Sequence, residues 1–135
     1  MKAQGTLSDL PDVTRITVHA GQVLVYPRHT PPGLFVVLAG VLCRFADGTL
    51  PEAGCGDLWD AAAGAFAVPA PDEVCEPAGS GVAARSDALL MFVPRSVVLA
   101  RTDVGRILAA AGIGVVPLGE SSKRRGEAVT PRRAR

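Results

Sequence analysis

Alternation of apolar and polar side chains marks the first two thirds of the chain as a series of short strands. The segment 13–18 (VTRITV) alternates and is rich in β-branched residues, and 22–26 (QVLVY) and 34–38 (LFVVL) have similar composition. Further strands are predicted at 41–45, 57–59, 81–85 and 88–93. About eight short strands separated by glycine- and proline-rich turns predict a mainly β fold, an antiparallel jelly roll or double-stranded β-helix.

The pattern becomes helical after Pro94. Residues 94–101 fit a helix with proline at its first position. Thr102 is the predicted N-cap of a second helix over 103–111, which Gly112 would end. Residues 60–66 (DAAAGAF) are predicted to form one or two helical turns, with Asp60 as the N-cap.

The chain is long enough for one domain, and its charge differs between an acidic body and a basic C-terminal segment. Its 135 residues, 48% of them hydrophobic, predict a single packed domain. Residues 1–118 carry 8 Lys and Arg against 11 Asp and Glu, whereas 119–135 carry 6 against 2. We therefore expect an N-terminal extension (1–12), a β-roll with C-terminal helices (13–111) and a flexible basic tail (112–135). The basic residues of the tail are Lys123, Arg124, Arg125, Arg132, Arg133 and Arg135.

The sequence lacks the usual signals for export or membrane insertion. Its start is polar, and no apolar run approaches the ~18 residues that a membrane span needs. Cys43, Cys55 and Cys75 lack a CxxC pairing, so free thiols in a reducing cytoplasm are expected. Cys55, between two glycines, is the candidate for an accessible thiol.

Four segments together resemble the cyclic-nucleotide-binding domain family, the β-roll sensor of catabolite-activator-type regulators. They are Ala20-Gly21-Gln22, the run 34–40 (LFVVLAG), Gly56-Asp57-Leu58-Trp59, and the strand pair 82–90 (VAARSDALL). The resemblance spans about residues 13–111. It implies a ligand-binding regulatory domain of signal transduction. Its site would be a phosphate-binding cassette that begins at Gly56 and ends before the strand pair 82–90.

The candidate cassette comprises Gly56, Asp57, Leu58, Trp59, Asp60, Ala61, Ala78 and Ser80. In the family a glutamate, here aligned with Ala61, holds the ribose hydroxyl, and an arginine, here aligned with Ala78, pairs with the cyclic phosphate. Neither alanine side chain can form these bonds, and Asp60 adds a charge that repels phosphate. We therefore predict that this chain does not bind cyclic nucleotide in the family mode. Arg85 would compensate only if its side chain turned inward.

Other chemistries find less support. Cupins share the jelly roll, but His19 and His29 lie ten residues apart and lack the His-x-His pair and acidic ligand of a cupin metal site. We predict no metal or cofactor for this reason. Because the jelly roll is shared, a cupin-like metal-dependent enzyme is kept as a rival hypothesis. Asp57, Asp60, Asp72 and Glu73 have no partner at a diagnostic spacing, so no catalytic residue is proposed and the protein is expected not to be an enzyme.

Two further features allow alternative interpretations. Trp59, the only tryptophan, is either a core anchor or a stacking wall for a planar ligand. The basic tail is either a solubilising end or a charged contact for nucleic acid or an acidic partner.

The sequence thus favours a bacterial, cytoplasmic, non-enzymatic regulatory or protein-interaction module. A cyclic AMP or cyclic GMP sensor with altered contacts is the main alternative. A protein partner or a homo-oligomer and a small-molecule ligand are expected, without sequence-specific DNA binding or membrane association.

Overall fold

The structure, a computed structural model, describes residues 10, 12–48 and 55–118. Within these residues, nine strands and two α-helices form the fold. The strands are β1 (Thr14–Val18), β2 (Val23–Val25), β3 (Gly33–Ala39), β4 (Val41–Ala46), β5 (Cys55–Asp60), β6 (Phe66–Val68), β7 (Ser80–Ala84), β8 (Ala88–Pro94) and β9 (Gly114–Val115). The helices are α1 (Arg95–Ala100) and α2 (Val104–Ala110), and 3₁₀ turns occur at Ala61–Ala63 and Pro71–Glu73.

The strands form two sheets. The first has the order β1-β8-β3-β6-β9 and the second the order β2-β7-β4-β5. Every pairing is antiparallel except that of β6 with β9, which is parallel. This arrangement confirms the predicted mainly β fold with short C-terminal helices.

Two apolar clusters lie on opposite faces of the first sheet. Val37 belongs to the cluster inside the roll, which side chains of both sheets build. Its neighbour Val36 belongs to the cluster between the first sheet and the helices. Both valines are fully buried, because successive residues of a strand point to opposite faces and here each face is covered.

The C-terminal helices cover the outer face of the first sheet. Val104, Ile107 and Leu108 of α2 are buried, as the predicted apolar stripe requires. The N-cap of α2 is Asp103 rather than the predicted Thr102. Asp103 is held there by Arg101, whose guanidinium donates to both of its carboxylate oxygens at 2.9 and 2.8 Å.

The predicted helix at 60–66 is shorter than expected. Only Ala61–Ala63 is helical, with Asp60 as the N-cap that the sequence predicts. Gly64, at φ +137°, breaks the turn, because this conformation is incompatible with a continuing helix. The chain then extends as β6, within a region where the sequence indicated helix and loop.

The chain continues beyond α2 as part of the roll. Gly114–Val115 pairs with β6, and Leu118 is buried inside the roll, whereas the sequence placed a flexible tail from residue 112 onward. The basic residues of the predicted tail, beyond 118, lie outside the described residues, as does most of the predicted N-terminal extension. Among the described residues, no helix is long and apolar enough to span a membrane.

Candidate functional site

The candidate cassette connects two strands that flank β4. Its first part lies on β5 and its last part leads into β7, and β4 is hydrogen-bonded to both. Leu42 of β4 is opposite Trp59 on one side and Ala84 on the other. These three side chains therefore point into the roll, where Leu42 and Ala84 are buried.

Trp59 supports the walls of the roll. It is partly buried, packs on the interior cluster and meets Phe66 edge-on, with ring centroids 6.3 Å apart. This geometry favours the core-anchor interpretation. The adjacent Leu58 points to the other face of the sheet, where 59% of its surface is exposed, so it does not line the interior.

Ala61 and Ala78 come together inside the roll. They are 8% and 7% exposed and belong to the same interior cluster. Val82 and Ala84 face the same cluster, as the alternation from position 78 to position 84 requires. Positions 61 and 78 therefore face a common interior, and each contributes only a methyl group to its apolar lining.

The amides at the start of the 3₁₀ turn are already engaged. The Ala61 N–H donates to the Gly40 carbonyl at 3.0 Å, and the Ala62 N–H donates to Asp60 Oδ1 at 2.9 Å. Asp60 thus caps its own turn, as predicted. An incoming phosphate would have to displace a carboxylate from the amide that it needs.

The sequence did not predict a charged pair at the mouth of the roll. Arg44 of β4 lies on the same strand face as Leu42, and its guanidinium forms an ion pair with Asp57 of β5. The apolar context of VLCRF concealed this inward charge. Its position two residues after the inward Leu42 was the only signal that could have revealed it.

Arg44 and Asp57 line a cavity of about 450 Å³ at the mouth of the roll. The other lining residues are Ala46, Gly56, Gly79, Ser80 and Leu118. Ser80 is partly buried, and its inaccessible hydroxyl oxygen has no hydrogen-bond partner among the described residues. Gly56, Asp57 and Ser80 therefore share one cavity, whereas Ala61 and Ala78 lie in the apolar cluster.

Leu118 forms part of the cavity wall and is held at both of its backbone groups. Its carbonyl accepts from Arg44 Nη1 at 3.1 Å, and its amide donates to Glu73 Oε1 at 2.9 Å. The side chain is 3% exposed and packs within the interior cluster. Glu73, a candidate acid from the sequence, therefore acts here as a backbone acceptor.

The remaining charged candidates do not join this site. Arg85 is exposed rather than turned inward. His19 is exposed and lies 3.7 Å from Asp87, and His29 Nδ1 lies 3.1 Å from the carbonyl oxygen of Pro27. Within residues 10, 12–48 and 55–118, no cluster of three or more His, Cys, Asp or Glu residues has metal-ligand geometry.

The cysteines differ in state. Cys75 is an exposed free thiol, whereas Cys43 is fully buried and disulfide-bonded. The expectation of free thiols throughout is therefore wrong for Cys43. Free thiols were an argument for a reducing compartment, and the disulfide at Cys43 removes that argument. The side chain of Cys55, the predicted accessible thiol, lies outside the described part of the chain.

Comparison by sequence finds no matching protein family and no matching curated protein. Comparison of structures finds a transcriptional regulator of Thermotoga maritima, 16% identical, with a TM-score of 0.50 over 67% of this chain and 70% of that one. The sensor domain of the transcriptional regulator DNR of Pseudomonas aeruginosa is 13% identical, with a TM-score of 0.53 over 76% of this chain and 67% of that one.

A candidate cyclic nucleotide binding protein of Ruegeria pomeroyi gives a TM-score of 0.51 at 13% identity. The match covers 76% of this chain but only 46% of that protein. These likenesses, at low sequence identity, concern the fold. The chain shares the β-roll fold of these solved structures, as its sequence resemblance implied.

Proposed function

We propose that this chain is a non-enzymatic regulatory or protein-interaction module of the β-roll type that does not bind cyclic nucleotide in the family mode. The observation that carries this proposal is the burial of Ala61 and Ala78 in one apolar cluster. A ribose and a charged phosphate placed between these two methyl groups would lose their water without gaining a charged or hydrogen-bonding partner.

The loss of the arginine has a calculable consequence. A charge-assisted hydrogen bond contributes about 1.5–3 kcal/mol, so its absence weakens binding about tenfold or more. A helix N-terminus contributes at most ~2 kcal/mol toward an anion, and here Asp60 already occupies the Ala62 amide. We therefore expect no affinity for cyclic AMP or cyclic GMP tighter than ~100 μM, a Kd that corresponds to roughly 5.5 kcal/mol.

Arg44 supports a second candidate, a sensor with altered contacts. It places a guanidinium at the cavity in the mouth of the roll, on β4 rather than in the cassette. Asp57 neutralises that charge, so the two residues add no net charge at the cavity. This arrangement favours a neutral or weakly polar small molecule over a phosphate ester, and we rank a cyclic nucleotide sensor second for that reason.

The double variant Ala61→Glu with Ala78→Arg tests the alignment. It restores both family side chains on positions that face one interior, so isothermal titration calorimetry with cyclic AMP should detect binding that each single variant lacks. The two single variants each bury one unpaired charge in the interior cluster, so they serve as controls only when circular dichroism shows that they fold. A folded double variant without cyclic AMP binding would contradict the placement of the cassette.

The setting of the protein stays at the level of prediction. We propose a regulatory role in the bacterial cytoplasm, with a protein partner or a second copy of the chain as the expected contact. The enzyme alternative would require a metal, and metal analysis of the purified protein tests it.

A further inference from the structure

Residues 113–118 occupy the roll as an extended peptide ligand would. The Gly114 N–H donates to the Ala65 carbonyl at 3.2 Å and the Val116 N–H to the Ala67 carbonyl at 2.8 Å, which adds a parallel strand beside β6. Such main-chain pairing at a sheet edge is a general mode of peptide recognition, because it does not depend on the side chains of the added strand.

Ile113, at the start of the segment, packs against the outer cluster, and two alternate positions further on face the interior of the roll. Val116 packs against the interior cluster and Leu118 is buried within it, whereas Pro117 between them is exposed. Position 117 therefore needs neither a particular side chain nor an N–H group. The segment therefore presents two aliphatic side chains to the interior, separated by one exposed residue.

Two charged side chains fix the register of the segment. The Glu73 carboxylate accepts a hydrogen bond from the Leu118 amide. The Arg44 guanidinium donates one to the Leu118 carbonyl. Both bonds engage backbone groups, which every peptide presents. The Leu118 side chain supplies the aliphatic anchor that accompanies them.

The strand pairing that joins the segment to β6 is short and exposed, although Leu118 at its end is buried. Its paired strand has only two residues, both exposed, and Val115 is 41% exposed. Gly112 precedes it in the left-handed region, at φ +75°, where helix α2 gives way to the segment. A short, exposed strand at a sheet edge belongs to the least stable part of a fold.

From these contacts we infer that the edge of β6 and the mouth of the roll form a peptide-binding groove, which residues 113–118 occupy in this structure. Its partner in trans is an extended segment of another protein that carries two aliphatic residues separated by one residue. This inference rests on the proposed role as a protein-interaction module and names the chemistry of the partner. It does not depend on whether the interior excludes cyclic nucleotide.

The test uses the full-length chain and a labelled peptide with the sequence of residues 113–118, IGVVPL, amidated at its C-terminus. Leu118→Ser removes the internal anchor, and Val115→Ser, in the same segment but exposed, is the matched control. A segment tethered beside its groove competes at an effective concentration of about 1 mM. Fluorescence anisotropy should therefore show the peptide binding at least tenfold tighter to the Leu118→Ser chain than to the native or Val115→Ser chain.

Two controls test the contacts themselves. A peptide with N-methyl-leucine at the anchor cannot donate to Glu73, and Arg44→Met in the Leu118→Ser chain removes the donor to the anchor carbonyl. Each should weaken binding about tenfold, the loss expected for a hydrogen bond to a charged group. A peptide ending in serine instead of leucine should not bind.

Equal peptide affinity of the native and Leu118→Ser chains, or no binding by either, would overturn the inference. If Leu118→Ser does not fold, the milder Leu118→Ala variant replaces it, and unfolding of both would identify the segment as an indispensable part of the core rather than an exchangeable occupant. The peptide assay tests the groove, and titration of the native chain with cyclic AMP tests the proposed function. Because the two measurements are independent, failure of one inference can be told from failure of the other.

Discussion

Ala61 and Ala78 share one buried apolar cluster inside the roll, although they stand at opposite ends of the cassette. In the family that the sequence resembles, these two positions carry the glutamate and the arginine that bind the ligand. If that alignment is right, both positions face a common apolar interior and neither carries a charged side chain. Among the described residues that line the adjoining cavity, the charged side chains are Arg44 and Asp57.

The doubly covered first sheet predicts that neither of two adjacent valines tolerates a charge. Val36→Asp and Val37→Asp each bury a carboxylate without a partner, in the outer and the inner cluster respectively, and each should reduce the free energy of unfolding by more than about 3 kcal/mol. Thermal denaturation followed by circular dichroism measures the effect. The control is Thr17→Asp, at an exposed position of β1, which should change the free energy of unfolding by less than about 0.5 kcal/mol. A stable Val37→Asp variant would contradict the assigned core.

Ser80 and Ser86 provide a matched pair of hydroxyl deletions. In the part of the chain that the structure describes, the buried Ser80 hydroxyl has no partner, so Ser80→Ala should leave stability unchanged or increase it. The Ser86 hydroxyl accepts from the Val41 amide at 3.0 Å and donates to the Asp87 carbonyl at 3.0 Å, so Ser86→Ala should cost about 1 kcal/mol. Urea denaturation of both variants tests the contrast, and a larger loss for Ser80→Ala would mean that its hydroxyl has a stabilising contact.

Glycine substitutions should have opposite effects at two positions. Gly40 has φ +108°, and an added Cβ would lie 2.7 Å from the Ala88 Cα, so Gly40→Ala should cost about 2 kcal/mol or more. Gly105 lies within α2 with nothing within 4 Å of an added Cβ, so Gly105→Ala should stabilise by about 0.5–1 kcal/mol. Equal melting temperatures for the two variants would contradict the described turn and helix.

The ion pair before α2 predicts one pH effect. The bidentate hydrogen bonds from Arg101 lower the pKa of Asp103, against a smaller opposing effect of desolvation. A lowered pKa in the folded state means that the pair stabilises the fold above the ordinary aspartate pKa, and that this contribution is lost as pH falls through the lowered value. Carboxyl NMR titration should show the Asp103 pKa rising in Arg101→Met, and rising less in Arg106→Met. No change in either variant would contradict the pairing.

The local features of the fold were predictable because they depend on neighbouring residues. Alternation located β1, β3 and β8, and proline and glycine located the turns, since strand and turn preferences act over a few positions. The cap at Asp60 was predicted for the same reason. The helix after it was overestimated, because the extended pairing of β6 with β3 and β9 outweighs the helical preference of alanine.

The features that depend on distant residues were not predictable. The direction of Arg44 is fixed by the pairing of β4 with β5 and β7, and the burial of Leu118 by contacts with residues 73 and 44. A segment rich in valine, proline and glycine gives no local signal that it will return to the roll. Likewise, spacing along the chain does not reveal that Cys43 is disulfide-bonded.

Isothermal titration calorimetry of the unmodified full-length chain with cyclic AMP and cyclic GMP tests the apolar cassette most directly. Ala61, Ala78 and the self-capping Asp60 leave the phosphate without a charged partner in the cassette, so no binding tighter than ~100 μM should be observed, a limit of roughly 5.5 kcal/mol. Binding of either nucleotide at low micromolar concentration would contradict the proposal and establish a sensor in which Arg44, released from Asp57, is the first residue to examine.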